Sequence, residues 1–457
     1  MTGDRAAGPV VLLSPPPTPN GPLHLGHLSG PYLAADIAAR AARARGESVL
    51  TVCGTDDHQN YVVAKAEQLG RKPDELVDEY GALIRASLAA AGIRHDVFTT
   101  PRTDRNHRAR VARLCVELVT AGLVHPTEWT MLACRACGRT LHHGYVTGGC
   151  PTCAGPMGGG TCEACGGFAT AAQLRDPRCL CGGEPRAVRH YGPVLRLEEY
   201  REALTRIWSA AVIPARVRAL LTRLLAEGLP DVPVSYPTDW GIELVGGNRL
   251  DVWVEMGLAY LDLIGRRLDP DARQLGELGA AWRGSGGLWP FLGIDNAFYY
   301  AVLFPALAVA AGAPWQSVLS GLVVNEFYRL DGLKFSTSRD HAVWAHELLT
   351  TENPEAVRLF LSWDRPAPYP SNFTSAGYAA FTERWPLRDG PADPPARTGP
   401  GPLAGAELAR AEQALHPETF DPALAARCLL PLAVERQDAR ARRLLGALTG
   451  HVTDPEG

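Results

Sequence analysis

Two histidines, His24 and His27, flank Leu25-Gly26 where a short apolar run and a proline-rich loop give way to a helical pattern. A strand-to-helix turn leaves backbone N–H groups free and points the helix dipole outward, and both favour bound phosphate. Two imidazoles on such a turn can donate to an oligophosphate, and a glycine between them admits a purine close to the backbone. A second candidate lies about 300 residues downstream, in Lys334-Phe335-Ser336-Thr337-Ser338. Only Lys65, Lys72 and Lys334 are lysines among 45 basic residues, so a lysine followed by hydroxyl residues stands out. An ammonium and hydroxyls on a loop suit the oxygens of a phosphoryl transition state.

The third feature is cysteine. Eight of the eleven cysteines fall in four pairs, Cys134/Cys137, Cys150/Cys153, Cys162/Cys165 and Cys179/Cys181. Clustered pairs of this kind read as metal sites rather than disulfides. Tetrahedral Zn²⁺ takes two such turns, so four pairs supply two all-thiolate sites, structural because no position stays open. The segment is glycine-rich and lacks apolar periodicity, so metal is expected to supply its stability. Cys53, Cys115 and Cys428 sit in apolar contexts and read as core.

Val10–Leu13 reads as a strand, His27 to Arg45 as a helix stopped by Gly46, and Val49–Cys53 as the next strand, a β-α-β unit of a doubly wound parallel sheet. Helices are expected over Pro73–Ala91 and Asp104–Ala121, then over Leu197–Glu227 after the cysteine segment. Sheet signals return at Leu250–Val254, Leu288–Leu292 and Val318–Val324. One α/β domain is therefore expected to be split by an insertion. Between Pro386 and Gly405, prolines and glycines make up half the residues, a linker composition. Helical stretches follow near Ala406–Leu415 and Pro422–Leu445.

A chain of 457 residues, 46% apolar and 21% charged, can hold two to four domains with ample core. A formal charge of −4 advertises no nucleic-acid or membrane surface, although a local basic patch would suffice for tRNA. The uncharged run from Asn296 to Asn325 is long enough to span a bilayer, but Pro305, Gly312 and Pro314 interrupt it. A buried helix and strand are expected there. No signal-peptide pattern opens the chain, and a cytoplasmic location with no membrane contact is expected.

Pro19-Asn20-Gly21-Pro22-Leu23-His24-Leu25-Gly26-His27 resembles the HIGH signature of class I aminoacyl-tRNA synthetases, and Lys334 to Ser338 resembles KMSKS. Within that class the chain is most similar to the methionyl-tRNA synthetase family. It shares Gly54-Thr55-Asp56 with His58, Trp240-Gly241-Ile242, Val252-Trp253, Gly293-x-Asp295 and the cysteine pairs, over roughly residues 9–385. The resemblance implies a Rossmann-like catalytic domain in two halves (1–115 and 231–330) around a connective insertion (116–230) whose zinc knuckles span 134–181. A KMSKS-like loop and stem-contact region (331–385), the linker (386–405) and a short helical segment (406–457) would follow. It implies nested zinc pairs, the middle two on one ion and the outer two on the other.

The same resemblance implies an ATP-dependent ligase, with Mg²⁺ accompanying ATP, that forms an aminoacyl adenylate. His24, Gly26, His27, Gly293, Asp295, Lys334 and Ser336 would contact ATP, with His24, His27 and Lys334 catalytic. Pro15, Thr18, Asp56, Trp253, Tyr260 and Tyr300 would line the amino-acid site, Asp56 holding the ammonium group.

The departures matter. Thr18 stands for the family's tyrosine, Tyr300 for its histidine facing the methionine side chain, Ile294 for a lysine, Glu255 for an aspartate and Thr337 for the second KMSKS lysine. Specificity for methionine is therefore not expected. The residues after the linker are too few for the family's anticodon-binding bundle, so a shortened paralogue is expected. The favoured acceptor is a small amine or hydroxylamine in specialised metabolism. The alternatives are a methionine–tRNA ligase acting on a tRNA 3′ end, and a non-catalytic scaffold.

Overall fold

The computed structural model describes residues 8–244, 246–335, 341–385, 402–436 and 438–450. Strands β1 (Val10–Leu13), β2 (Val49–Gly54) and β3 (Val97–Thr99) precede the insertion; β4 (His125–Cys134) and β5 (Pro185–Arg196) are its long antiparallel pair; β6 (Gly287–Gly293) and β7 (Val323–Asn325) follow it. The central sheet runs β7-β6-β1-β2-β3, every pair parallel. Strand order reverses between β1 and β6, and the crevice above such a switch point is where doubly wound sheets bind ligands. Val11, Leu12, Val52, Phe291 and Leu292 are buried, as strands covered on both faces require.

The helices that matter are α1 (Leu33–Ala44), α2 (Tyr61–Leu69), α3 (Pro73–Ala90), α4 (Arg105–Thr120), α5 (Arg201–Ala210), α6 (Ala215–Glu227), α7 (Val252–Leu268), α8 (Phe304–Ala310), α9 (Pro354–Trp363), α10 (Pro402–Ala414), α11 (Pro422–Leu430) and α12 (Ala439–Thr449). The single helix expected from His27 to Arg45 is broken near its start. A short turn, Leu25–His27, passes through a wide turn at Leu28–Tyr32, where Gly30 leaves helical geometry and Pro31 follows, before α1 begins. Proline removes an intrahelical donor, which accounts for the break. The strand signal at Leu250–Val254 is only half met. Arg249–Leu250 is a strand, but the Asp251 carboxylate accepts from the N–H groups of Trp253 and Val254 and starts α7 there. Likewise Trp315–Val318 is helical and the strand expected over Val318–Val324 runs Val323–Asn325. The helix expected over Pro422–Leu445 is two, α11 and α12, parted by a wide turn that starts at Pro431. Helix α2 carries no strong sequence signal and was not expected.

The cysteine segment does not stand alone. Leu132, Leu141, Tyr145 and Met157 share a core with Val62, Val63, Ala66, Leu76 and Val77 of α2 and α3. Nor are the last helices a separate appendage: Leu408, Leu415, Leu429 and Leu448 are buried in one core with Leu25, Leu28, Leu33 and Ile37 beside the His24 turn. Most of the linker expected at 386–405 lies outside the described residues. Cys53, Cys115 and Cys428 are buried, in line with their core reading. Among the described residues no helix is long and apolar enough to cross a membrane.

One buried cation ties these parts together. The Arg358 guanidinium on α9 pairs with Asp36 of α1 at 2.7 Å and donates to the carbonyls of Ala91 (2.8 Å), Leu448 (3.1 Å) and Ala447 (3.3 Å). Arg40 extends the cluster to Asp36, Gly92 and Gly450 at 2.8, 2.7 and 3.2 Å. Helix carbonyls left open at the end of α12 are thus satisfied by arginine. Arg358→Ala strands a buried carboxylate and is expected to cost ~3–5 kcal/mol. Denaturant unfolding should show a lower midpoint, with proteolysis starting in residues 402–450. An unchanged midpoint would show that Arg40 alone suffices for Asp36.

Candidate active site

The turn after β1 is held by its own histidines. The Nδ1 of His24 accepts from the backbone N–H of His27, and the Nδ1 of His27 accepts from that of His24, both at 3.3 Å. This reciprocal cap stacks the two rings 3.8 Å apart, and Phe335 stacks on the other face of His24 at 4.7 Å. A side chain at Gly26 would meet the His24 ring at 3.0 Å and Phe335 at 3.4 Å, so glycine is required by the stack itself. Both histidines are half-buried. Burial and the nearby Lys334 charge depress them, His24 well below the usual range and His27 to about 4. Both rings are thereby held toward the neutral imidazole.

Phe335 brings its neighbour Lys334 to the same place, and Leu25 N–H donating to Val343 O at 3.0 Å fastens the chain after that loop to the turn. Ser336 and Thr337 lie outside the described residues. At the end of β6, a Cβ on Gly293 would strike the Asp295 carboxylate at 2.5 Å. Burial and Glu163 push Asp295 up to about 6, against the pull of Lys334. His24, Gly26, His27, Lys334, Gly293 and Asp295 therefore gather at the carboxyl ends of β1 and β6.

Asp56, past the end of β2, is buried, and its backbone N–H donates to Pro17 O at 3.0 Å. The Thr18 hydroxyl donates to its carboxylate at 3.2 Å. Burial, then Glu255, push the Asp56 carboxyl well above its ordinary range; Thr18 only partly offsets them. Such a group has most to gain from an incoming cation. Asp56 lines a small cavity with Pro16, Cys53, Met256 and Tyr260. Pro15 is buried, and Pro16, which the sequence reading did not single out, lines that cavity instead. Tyr260 and Tyr300 share a hydroxyl–hydroxyl bond of 2.7 Å, and the Tyr300 hydroxyl lies 3.8 Å from the Met256 sulfur. Trp253 stacks on Tyr299 at 3.6 Å.

Glu255, which stands for the family's aspartate, is held by two histidines. Both its oxygens lie 2.9 Å from His58 Nδ1, and His107 Nε2 is 3.4 Å away. Burial would raise Glu255, but the two imidazoles prevail and hold it at about 2. The role of His107, on α4, had no motif to mark it.

The eight cysteines gather as two groups, Cys134, Cys137, Cys179 and Cys181, and Cys150, Cys153, Cys162 and Cys165. The closest sulfur pairs are 3.4–3.7 Å apart in the first and 3.6–3.7 Å in the second, and all four sulfurs of each group lie within 4.8 Å of one another. Tetrahedral zinc with Zn–S near 2.3 Å needs edges of about 3.8 Å, so each group could hold one ion. The Cys179-x-Cys181 pair closes its set despite the shorter spacing.

A profile of class I tRNA synthetases (M) matches residues 10–383. The chain belongs to that family. The methionine–tRNA ligase of Methanobrevibacter smithii is 32% identical over 369 residues, covering 78% of this chain and 54% of the relative. That of Dehalococcoides mccartyi is 32% identical over 372 residues, covering 78% and 65%. The chain thus spans about half to two thirds of the length of these relatives. The fold matches Mycobacterium tuberculosis methionyl-tRNA synthetase in complex with methionyl-adenylate, with a TM-score of 0.69 and 20% identity over 96% of this chain and 89% of that one. Both relatives are named as methionine–tRNA ligases.

Elemental analysis of this synthetase-family chain is expected to return about two zinc per chain. Chelation should loosen residues 134–181 before the central sheet. Zinc near zero with the fold intact would leave the eight thiols without their metal.

Proposed function

We propose that this protein activates an α-amino acid with ATP and passes the acyl group to the 3′ end of a tRNA. The observation that carries this reading is the stack of Phe335 on His24, which brings the neighbouring Lys334 to the histidine turn. In the reaction, a carboxylate oxygen of the amino acid attacks the α-phosphorus of ATP. The bond to the oxygen bridging the α- and β-phosphates breaks, pyrophosphate leaves with the electron pair, and an aminoacyl adenylate remains. His24 and His27 donate to phosphate, Gly26 lets the nucleotide approach, and Gly293 and Asp295 flank the nucleoside. Lys334 and Ser336 stabilise the charge that develops on the phosphate oxygens. Asp56 pairs with the α-ammonium, while Thr18, Pro15, Trp253, Tyr260 and Tyr300 bound the side chain. Mg²⁺ travels with ATP, and two zinc ions brace the insertion. Amino-acid-dependent ATP–pyrophosphate exchange tests this. His24→Ala and Lys334→Ala are each expected to cost about 10²–10³ in rate. Full activity in Lys334→Ala would remove the loop from the reaction. Exchange without charging of bulk tRNA would restore the small amine as acceptor.

A second reading concerns the amino acid. A thioether wants an apolar, polarisable slot, whereas the buried hydroxyls of Tyr260 and Tyr300 meet each other and Met256 already fills space beside them. A smaller or more polar side chain fits that lining better. Mismatched burial of polar groups costs ~1–3 kcal/mol, one to two decades of discrimination. In competition at equal concentrations, methionine is expected to hold no lead beyond that. A lead of about three decades would make methionine the substrate and Tyr300 compatible with it.

A further inference from the structure

Lys334 is held by a group from the insertion. Its ammonium is ion-paired with the carboxylate of Glu163 and lies 4.7 Å from the centre of the Phe327 ring. Glu163 sits inside the Cys162-Glu163-Ala164-Cys165 turn, so one metal knuckle reaches directly to the phosphate-binding loop. That knuckle is fastened to the catalytic half independently of metal. Arg216 on α6, itself in the insertion, donates to Ala164 O at 2.7 Å and ion-pairs across to Glu326 of the catalytic half; Arg223 on the same helix donates to Cys165 O at 3.4 Å, and Phe168 stacks on Phe298 of the catalytic half at 4.7 Å. Glu163 is thereby mounted over the segment that carries Asp295. Lys334 and Glu163 also act in opposite senses on Asp295, and Lys334 acts on both histidines, so the pair stands over the crevice itself.

We infer that Glu163 is a positioning residue that parks Lys334: it holds the ammonium in the empty site, yields it to the triphosphate, and takes it back as pyrophosphate leaves. The pair is suited to this. Its side chains are 49% and 55% exposed, and a solvated pair of single charges is weak. A triphosphate carries several negative charges and outcompetes one carboxylate. The carboxylate also keeps the only lysine of the loop from swinging into solvent, and it prevents a phosphate product from being gripped without competition. No bond to Glu163 forms or breaks in the reaction.

This rests on the proposed activation reaction, and two measurements separate their fates. Calorimetric titration with ATP in the absence of amino acid needs no turnover. Glu163→Gln is expected to tighten ATP and pyrophosphate about two- to fivefold, the scale of an exposed ion pair, and to lower KM for ATP without raising kcat. Glu163→Asp should restore most of the wild-type affinity. Glu163→Ser, also neutral, repeats the effect should glutamine disturb the knuckle. In a Lys334→Ala background, removing the carboxylate should change nothing. Unchanged or weaker ATP binding in Glu163→Gln and Glu163→Ser overturns the parking role. So does the same shift without Lys334, since the effect then bypasses the lysine. Wild-type protein that binds ATP but supports no exchange with any amino acid would instead sink the activation reading. Wild-type protein that binds no ATP overturns both.

Discussion

The reciprocal hydrogen bonding of His24 and His27 is the constraint on which the site depends. The His27 ring satisfies the backbone N–H of His24, which the start of a helix would otherwise leave open, and the His24 ring shares the His27 N–H with the His24 carbonyl at 3.0 Å. Because both rings are committed at Nδ1, their planes are set and stacked, and only the opposite edges remain for a ligand. Phe335 then has a flat face to rest on. A residue more than 300 positions downstream is located by ring contact, and Lys334 is carried with it. The loop needs no strand of the central sheet to hold it. Gly26 follows from the same geometry, since any side chain there would push the rings apart.

A second layer of order comes from charge. Asp56, Asp57 and Glu255 crowd the end of β2 and the start of α7, all buried. Left alone, three carboxyls in so small a volume would take up protons. His58 and His107 resolve the conflict for Glu255, and the backbone N–H of Arg102 donates to Asp57 at 2.9 Å. Among the described residues, the side-chain donor that Asp56 receives is the Thr18 hydroxyl. Of the three, it is the one whose charge is least provided for by the protein. The site thus has a cation-shaped deficit at one known atom, produced by satisfying its neighbours.

What the sequence reveals follows from how local each signal is. The strand β1, the helix α4 and the strand β6 are legible because apolar runs and caps lie within a few residues of one another. The four cysteine pairs are legible in number, but their nesting comes from the family and not from spacing. The break at Gly30-Pro31 is masked by the helical pattern on either side of the proline, and the start of α7 at Asp251 is missed because a β-branched apolar run reads alike in strand and helix. His107, Glu163 and Phe335 carry no motif that shows what they touch; their partners lie on other elements, and only the packed chain reveals them. The sequence marks Tyr300 and Thr18 as departures in the amino-acid site, but their pairing with Tyr260 and Asp56 is visible only in the fold.

The insertion and the last helices show why the boundaries between parts blur. A cysteine segment without a core of its own borrows one from α2 and α3, and metal then has only to fix the turns. The last helices borrow theirs from α1 and the His24 turn, and Arg358 converts that contact into a buried, directional tie. Each appended part is thus attached through the elements that hold a piece of the site: α1 follows the histidine turn, α2 follows Asp56, and the inner knuckle lies over Asp295. Attachment at those points lets an insertion carry a working residue such as Glu163 into a site whose sheet strands lie far from it in sequence.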